Sequence, residues 1–236
     1  MPNIDHTGYL PRLVKEGFQG AIYCTPATGD LLTLLLPDSG HLQERDAYFA
    51  NKKKYSCHDP ALPLYTEQEA RQFLEHLQPV AYHEPKALTD ELNFEYLHAG
   101  HILGSAMIRL NYTHNGGQKI LFFPGDLGRS GQPVIKDPET VEGADYLLLE
   151  STYGGRTHQQ VDVQAYLEEL VQQTVREGGS LIILVFAGGR VLHHLKSRLS
   201  DRRNTVLFVG FQPQGSLGRL ISEGKEEVKS MGSGCP

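Results

Sequence analysis

The chain has 236 residues, 39% of them hydrophobic and 21% charged, with a formal net charge of −6. That length suits one large domain, or a domain with an appendage, and can bury a substantial core. The acidic balance excludes nucleic-acid binding by bulk charge and leaves a local basic groove or a metal centre as the means of holding a phosphodiester.

Residues 7–18 place Leu10, Leu13 and Val14 on one helical face that ends at Gly17. A short strand, Ala21 to Thr25, follows, and Pro26 opens a helix through the leucine run 31–36. Residues 38–64 are polar and carry Lys52, Lys53 and Lys54, a pattern that reads as a solvated loop with some helix or, less simply, as a phosphate-contacting edge. Residues 66–77 form an amphipathic helix, with Thr66 as N-cap and Glu69 three residues on. The period then changes to that of strands at Leu92 to Leu97, Ala106 to Tyr112 and Lys119 to Phe123, the last two joined by an "HNGG" turn. Tyr146 to Glu150 reads as a buried strand, 161–177 as a helix, Ser180 to Phe186 as another buried strand, and Val191 to Leu199 as a helix. Thr205 to Val209 follows as a strand, 215–222 as a short helix, and the closing "SMGSGCP" as a frayed end. Alternating strands and helices in the second half imply an α/β sandwich. Cys24, Cys57 and Cys235 are far apart and form no Cys-x-x-Cys pair, which suggests a reduced, cytoplasmic setting. The chain shows no leader pattern and no apolar run of the roughly 18 residues a membrane helix needs.

Four stretches place His, Asp or Glu at strand ends or in glycine-rich turns: Asp5-His6, "HAGHILGSA" (98–106), "FFPGDLGRSG" (122–131) and "LLLESTYGGRTH" (147–158). Imidazole nitrogen and carboxylate oxygen both suit zinc. Each stretch alone has a plainer reading. Asp5 could cap the first helix, His101 could be a hydrogen-bonded turn residue, Asp126 a turn carboxylate, and Glu150 a cap for the "STYGG" turn. His98 reads as a strand-end histidine beside the site, and His158, His193 and His194 as structural or surface residues.

In their order, these stretches resemble the metallo-β-lactamase superfamily, and within it the RNA- and DNA-processing β-CASP branch. Asp5-His6-Thr7-Gly8 matches the end of a His-x-His-x-Asp-His motif, "AGHILGSA" is similar to the third motif, and "PGDLGR" to the fourth. "ESTYGGRTH" is similar to the acidic motif of the β-CASP branch. The resemblance implies a partial metallo-β-lactamase αββα sandwich that holds up to two zinc ions. It makes Asp5, His6, His101 and Asp126 metal ligands, with Asp126 bridging, and Glu150 the acid of the branch motif. The implied reaction is hydrolysis of single-stranded RNA by metal-activated water, with those five residues as the catalytic set.

The sequence also departs from the family pattern. Met1 and Asn3 stand where the second motif has its leading histidines. "GGSLIILVF" runs directly into "GGRVLHHLKSRL", two stretches that in the family flank a cap domain, so an internal loss of the cap is expected near Phe186-Ala187-Gly188. That join sets the expected division: a lactamase-like domain over 1–186, and a segment over 187–236 that packs back on the same sandwich. No counterpart of the family's later histidine segments occurs. The alternative reading is therefore a catalytically inactive lactamase-like scaffold or interaction subunit in RNA processing. A small-molecule hydrolase of the same superfamily fits less well, because "ESTYGG" and "FVGFQPQGSLG" follow the ribonucleases. Sheet edges left uncovered by the missing parts make a homo-oligomer expected.

Overall fold

A computed structural model describes residues 1–114, 116–152, 154–155, 161–184, 195, 197–208 and 217–224. The fold is mixed α/β, as the sequence implies, and divides into two compact units, Met1–Arg156 and Thr157–Pro236. The expected boundary at 186/187 and the expected cap join lie outside the described residues.

The first unit opens with two short helices, α1 (Ile4–Thr7) and α2 (Leu10–Lys15). One helix was expected over 7–18; instead the two are separated at Gly8-Tyr9, and Pro11 occupies the first turn of the second, where its missing N–H costs nothing. Strand β1 (Ile22–Cys24) follows. The long helix α3 (Pro26–Lys53) has Thr25 as N-cap, its hydroxyl accepting from the Thr28 amide.

Helix α3 corrects the expectation of a loop after residue 38. It continues through Pro37 and ends only where Lys54 takes a left-handed φ of 53°. Two causes outweigh the proline. Residues 41–53 are rich in strong helix formers such as Leu, Gln, Glu, Arg, Ala and Lys. The buried side of the helix also continues past the break, through Leu36, Pro37, Gly40 and Ala50. The polarity of the segment thus marks an exposed helix face. Lys52 and Lys53 lie over the Tyr48 and Phe49 rings at 5.7 and 6.0 Å, at a helix C-terminus that favours positive charge.

Helix α4 (Glu67–Phe73) carries the full capping box: the Glu69 amide donates to Thr66 Oγ1 at 3.1 Å, and the Thr66 amide donates to the Glu69 carboxylate at 2.8 Å. Leu32 and Leu36 of α3 pack with Tyr65, Ala70 and Phe73 into the first core cluster. Strand β2 (Leu77–Pro79) pairs in parallel with β1.

A five-stranded sheet follows, in the order β3 (Lys86–Ala87), β4 (Leu92–His98), β5 (Ala106–His114), β6 (Gly117–Phe123) and β7 (Tyr146–Leu147). Strands β3 to β6 are antiparallel, and β6 pairs with β7 in parallel. The β5–β6 hairpin closes at His114↔Gly117, as the "HNGG" turn predicts. Alternation sets the two faces of β4. Phe94 and Tyr96 are buried with Val80, while on the other face Glu95 meets Arg109 at 3.3 Å and Asn93 meets Asn111 at 2.9 Å.

Strand β7 departs from expectation. Its hydrophobic run predicts burial, yet Leu147, Leu148 and Leu149 are 57%, 52% and 60% exposed. The run lies at the sheet edge, held by its parallel register with β6 and by the Leu148 amide donating to Phe122 O at 3.0 Å. An apolar run signals a covering layer, and no described residue of the first unit supplies one here.

The second unit contains α5 (Val163–Arg176), with Asp162 accepting from the Gln164 and Ala165 amides, and the parallel pair β8 (Leu181–Leu184) and β9 (Thr205–Phe208). Ile182 and Leu195 centre its core. A short helix spans Leu217–Ser222. The expected helix over 191–199 is described only at Leu195 and from Ser197 onward, and the closing segment lies outside the described residues.

Candidate functional site

Three separate stretches of the first unit bring their side chains to one place. His6 stands on α1, which is tied down by buried Thr7, whose hydroxyl donates to Asn3 O at 2.9 Å. Asp5 sits inside the first turn of α1 while Asn3 takes the N-cap position, so the N-cap role considered for Asp5 does not hold. His101 lies in the loop between β4 and β5, and Asp126 in the loop after β6.

The loop carrying His101 is shaped by its glycines and braced by hydroxyls. Gly104 has a φ of +81°, and a Cβ there would meet the Thr28 hydroxyl at 2.6 Å, so both the dihedral and the space require glycine. The Gly104 carbonyl accepts from the Thr25 and Thr28 hydroxyls at 2.8 and 2.9 Å, which anchors the loop to the start of α3. Buried Ser105 accepts from the His101 and Ile102 amides at 3.2 Å each. Gly100, at φ +66°, lies against Pro138, where a Cβ would meet the proline nitrogen at 2.4 Å. The "AGHILGS" pattern is therefore the chemistry of a tight loop that presents one imidazole.

At the centre stands the Asp126 carboxylate. Its Oδ2 lies 3.2 Å from His6 Nε2 and 3.9 Å from His101 Nε2, and His6 Nε2 lies 3.8 Å from Asp5 Oδ2. His6, His101 and Asp126 are each about one-third exposed, and Asp5 is 72% exposed, so the group is open to solvent on the Asp5 side. Asp126 lies between two imidazoles, where a carboxylate acceptor meets two ring nitrogens. All four predicted ligands thus belong to one connected group of nitrogen and oxygen donors, the chemistry that zinc accepts. The donors are linked pair by pair; no three of them draw as close together as a second trio described below.

Glu150 adjoins this group. One carboxylate oxygen accepts from the Leu127 amide at 3.2 Å and the other from the Thr152 hydroxyl at 2.8 Å. It therefore caps the "STYGG" turn, the plainer of its two readings, and also fixes the backbone beside Asp126.

Sequence reasoning missed a second constellation. Among the described residues, His83, His98 and Glu139 form the group whose donor atoms all lie within 4.8 Å of one another. His98 carries a depressed pKa because burial disfavours its charged form, Lys136 and His83 add to that effect, and Glu139 opposes it. Nothing in "AYHEP" or "KDPETVEG" announces the partnership, which the pairing of β4 and the loop after β6 creates. His158, His193 and His194 lie outside the described residues. No helix among the described residues is long and apolar enough to cross a membrane.

Comparison with known proteins adds a family-level finding. A model of the Beta-Casp domain matches residues 52–221. A ribonuclease of Thermus thermophilus is 26% identical over 329 aligned residues, covering 99% of this chain and 71% of that protein. The transcription termination factor FttA of Methanothermobacter thermautotrophicus is 31% identical over 192 residues, 80% of this chain but 28% of the relative. An RNase J-like protein of Methanocaldococcus jannaschii is 29% identical, with 80% of this chain and 39% of the relative covered. The chain thus spans under two-fifths of the length of the archaeal relatives it matches.

Proposed function

Since this chain belongs to the Beta-Casp family, whose domain model covers residues 52–221, we propose that it is a metal-dependent hydrolase of RNA phosphodiester bonds. The observation that carries the reading is the convergence of His6 and His101 on the Asp126 carboxylate, at 3.2 and 3.9 Å, from three distant stretches of sequence. The names of the relatives, a ribonuclease and an RNase J-like protein, favour RNA as the substrate class.

Asp5, His6, His101 and Asp126 fit zinc in kind, and they are the residues that would hold it. A zinc ion there would supply Lewis acidity toward a phosphoryl oxygen and lower the pKa of water. The chain's own residues do the rest. Asp126 stands between the imidazoles and keeps their Nε2 atoms turned toward one point. His6 Nε2 stands 3.2 Å from Asp126 Oδ2, and as a metal ligand through Nε2 it would carry its ring proton on Nδ1. Asp5, the most exposed of the carboxylates, is the group placed to take a proton from solvent. Glu150 positions the Asp126 loop through the Leu127 amide.

Two further parts of the proposal concern the chain as a whole. The alignment with the Thermus ribonuclease is 329 residues long against 236 in this chain, so at least 93 positions of that alignment have no counterpart here. This supports an internal loss of cap sequence, although the Beta-Casp match runs across the expected join. The exposed β7 edge favours a homo-oligomer, which light scattering would reveal. A cytoplasmic location completes the proposal.

A second reading, a lactamase-like scaffold without turnover, is favoured by one observation: the tightest donor trio is a different group. Metal analysis separates the two. Near-stoichiometric zinc that falls on His101→Ala supports the hydrolase, whereas a folded protein whose zinc content is unchanged by His101→Ala, or that holds none, supports the scaffold.

A further inference from the structure

We propose that His83, His98 and Glu139 form a second binding site for a first-row divalent transition-metal ion, distinct in every residue from the Asp126 group. The three come from separate segments of the first unit: His83 from the connection after β2, His98 from the end of β4, and Glu139 from the connection between β6 and β7. Their donor atoms all lie within 4.8 Å of one another, with His83 Nε2 at 3.2 Å from Glu139 Oε1.

Each side chain is held in place by its surroundings. The His98 ring stacks on Tyr82, with centroids 3.9 Å apart and planes 24° from parallel. Glu139 is tied to the same residue twice: its amide donates to the His98 carbonyl at 3.0 Å, and its carboxylate accepts from the His98 amide at 2.8 Å. His83 adopts a left-handed φ of 62°, held by its amide donating to Tyr96 O at 2.9 Å and by the Tyr82↔Tyr96 bridge. Histidine tolerates that region better than most residues but still at a cost, so the surroundings over-determine this position. The Glu139 carboxylate is thus hydrogen-bonded as a ligating carboxylate is, while the His98 ring is held by stacking.

Two imidazoles and one carboxylate form a donor set suited to zinc, cobalt or nickel, with at least one position left for water. A cation already stands at this place. The Lys136 ammonium approaches His98 Nε2 to 3.4 Å, donating to the ring lone pair that a metal would use. His98 and Lys136 both line a cleft of about 220 Å³, which gives an ion a path to the site. Lys136 is a flexible competitor, and a metal would displace it. Bound metal would join the end of β4 to the loop after β6, the two segments that lead to His101 and away from Asp126.

Cobalt titration of the metal-free protein tests this, read by visible absorption and calorimetry. The background is Asp126→Asn with His101→Ala, so loss of the proposed catalytic group does not confound the result. The expected result is one equivalent of Co²⁺ in that background, with affinity reduced at least about tenfold by Glu139→Gln. His83→Asn is expected to abolish binding while keeping the fold, because asparagine accepts a positive φ; circular dichroism checks the fold. Lys136→Met is expected to tighten binding several-fold by removing the competing cation. No uptake in the background protein would overturn the proposal, as would unchanged affinity in folded His83→Asn; the trio would then be an ion pair only.

Discussion

Ser105 shows how one side chain can govern the geometry of another. Its hydroxyl takes the amides of His101 and Ile102, and the side chain is buried, so Ser105→Ala leaves two amides without their acceptor. A destabilisation of about 1–3 kcal/mol is expected, measurable by urea denaturation, together with weaker zinc binding because the His101 loop loses its brace. His101→Ala removes an imidazole that is over one-third exposed, so it is expected to leave stability within about 0.5 kcal/mol while lowering zinc occupancy. A variant with intact stability and less metal separates a ligand from a packing residue. At this scale Asp5, His6, His101 and Asp126 were legible as candidates, because each sits in a short stretch of recognisable composition. The sequence was silent on His83 and Glu139, whose partnership is made by sheet register and leaves no local pattern.

Helix α4 is where local sequence and structure agree most closely. Thr66 and Glu69 form a capping box that needs no tertiary information, and both of its hydrogen bonds are present. Thr66→Ala is expected to cost about 1 kcal/mol, read from thermal or chemical unfolding. Glu69 also meets Lys15 at 2.9 Å; burial raises the pKa of its carboxyl, but the Lys15 hydrogen bond and the Thr66 amide together hold it below the ordinary carboxylate range. A depressed folded pKa means that the contribution of Glu69 is fully present above its unfolded pKa of about 4.3 and is lost as pH falls through the folded value. Glu69→Gln is therefore expected to lower stability near pH 7, where the contribution is fully present, and to converge with the parent in acid, which flattens the limb below about pH 5. Helix α3 shows the opposite case. Its continuation past Pro37 depends on a buried side that packs against residues 65–73, a long-range cause that the polarity of 38–53 hides. The hairpin between β5 and β6 was readable because a two-residue turn sets its own register.

Across the whole molecule, burial and hydrophobicity part company at β7. Leu32 is 1% exposed inside the first core cluster, whereas Leu149 is 60% exposed at the sheet edge, although both belong to leucine-rich runs. Leu32→Ala is expected to cost roughly 2–5 kcal/mol and Leu149→Ala less than about 0.5 kcal/mol, a contrast that equilibrium unfolding of the two variants would show. The α/β class was evident from alternating strand and helix patterns, but the division at Arg156 was not, because no linker composition marks it. Family membership and the Asp126 group point to the same chemistry, and one assay examines that link directly: cleavage of 5′-labelled single-stranded RNA by the full chain and by Asp126→Asn, with chelator and with zinc restored. The expected result is cleavage that chelation abolishes, zinc restores, and Asp126→Asn reduces by about 10²–10³-fold. Cleavage that survives both chelation and Asp126→Asn would contradict the account, as would a zinc-loaded, folded protein that cleaves no RNA.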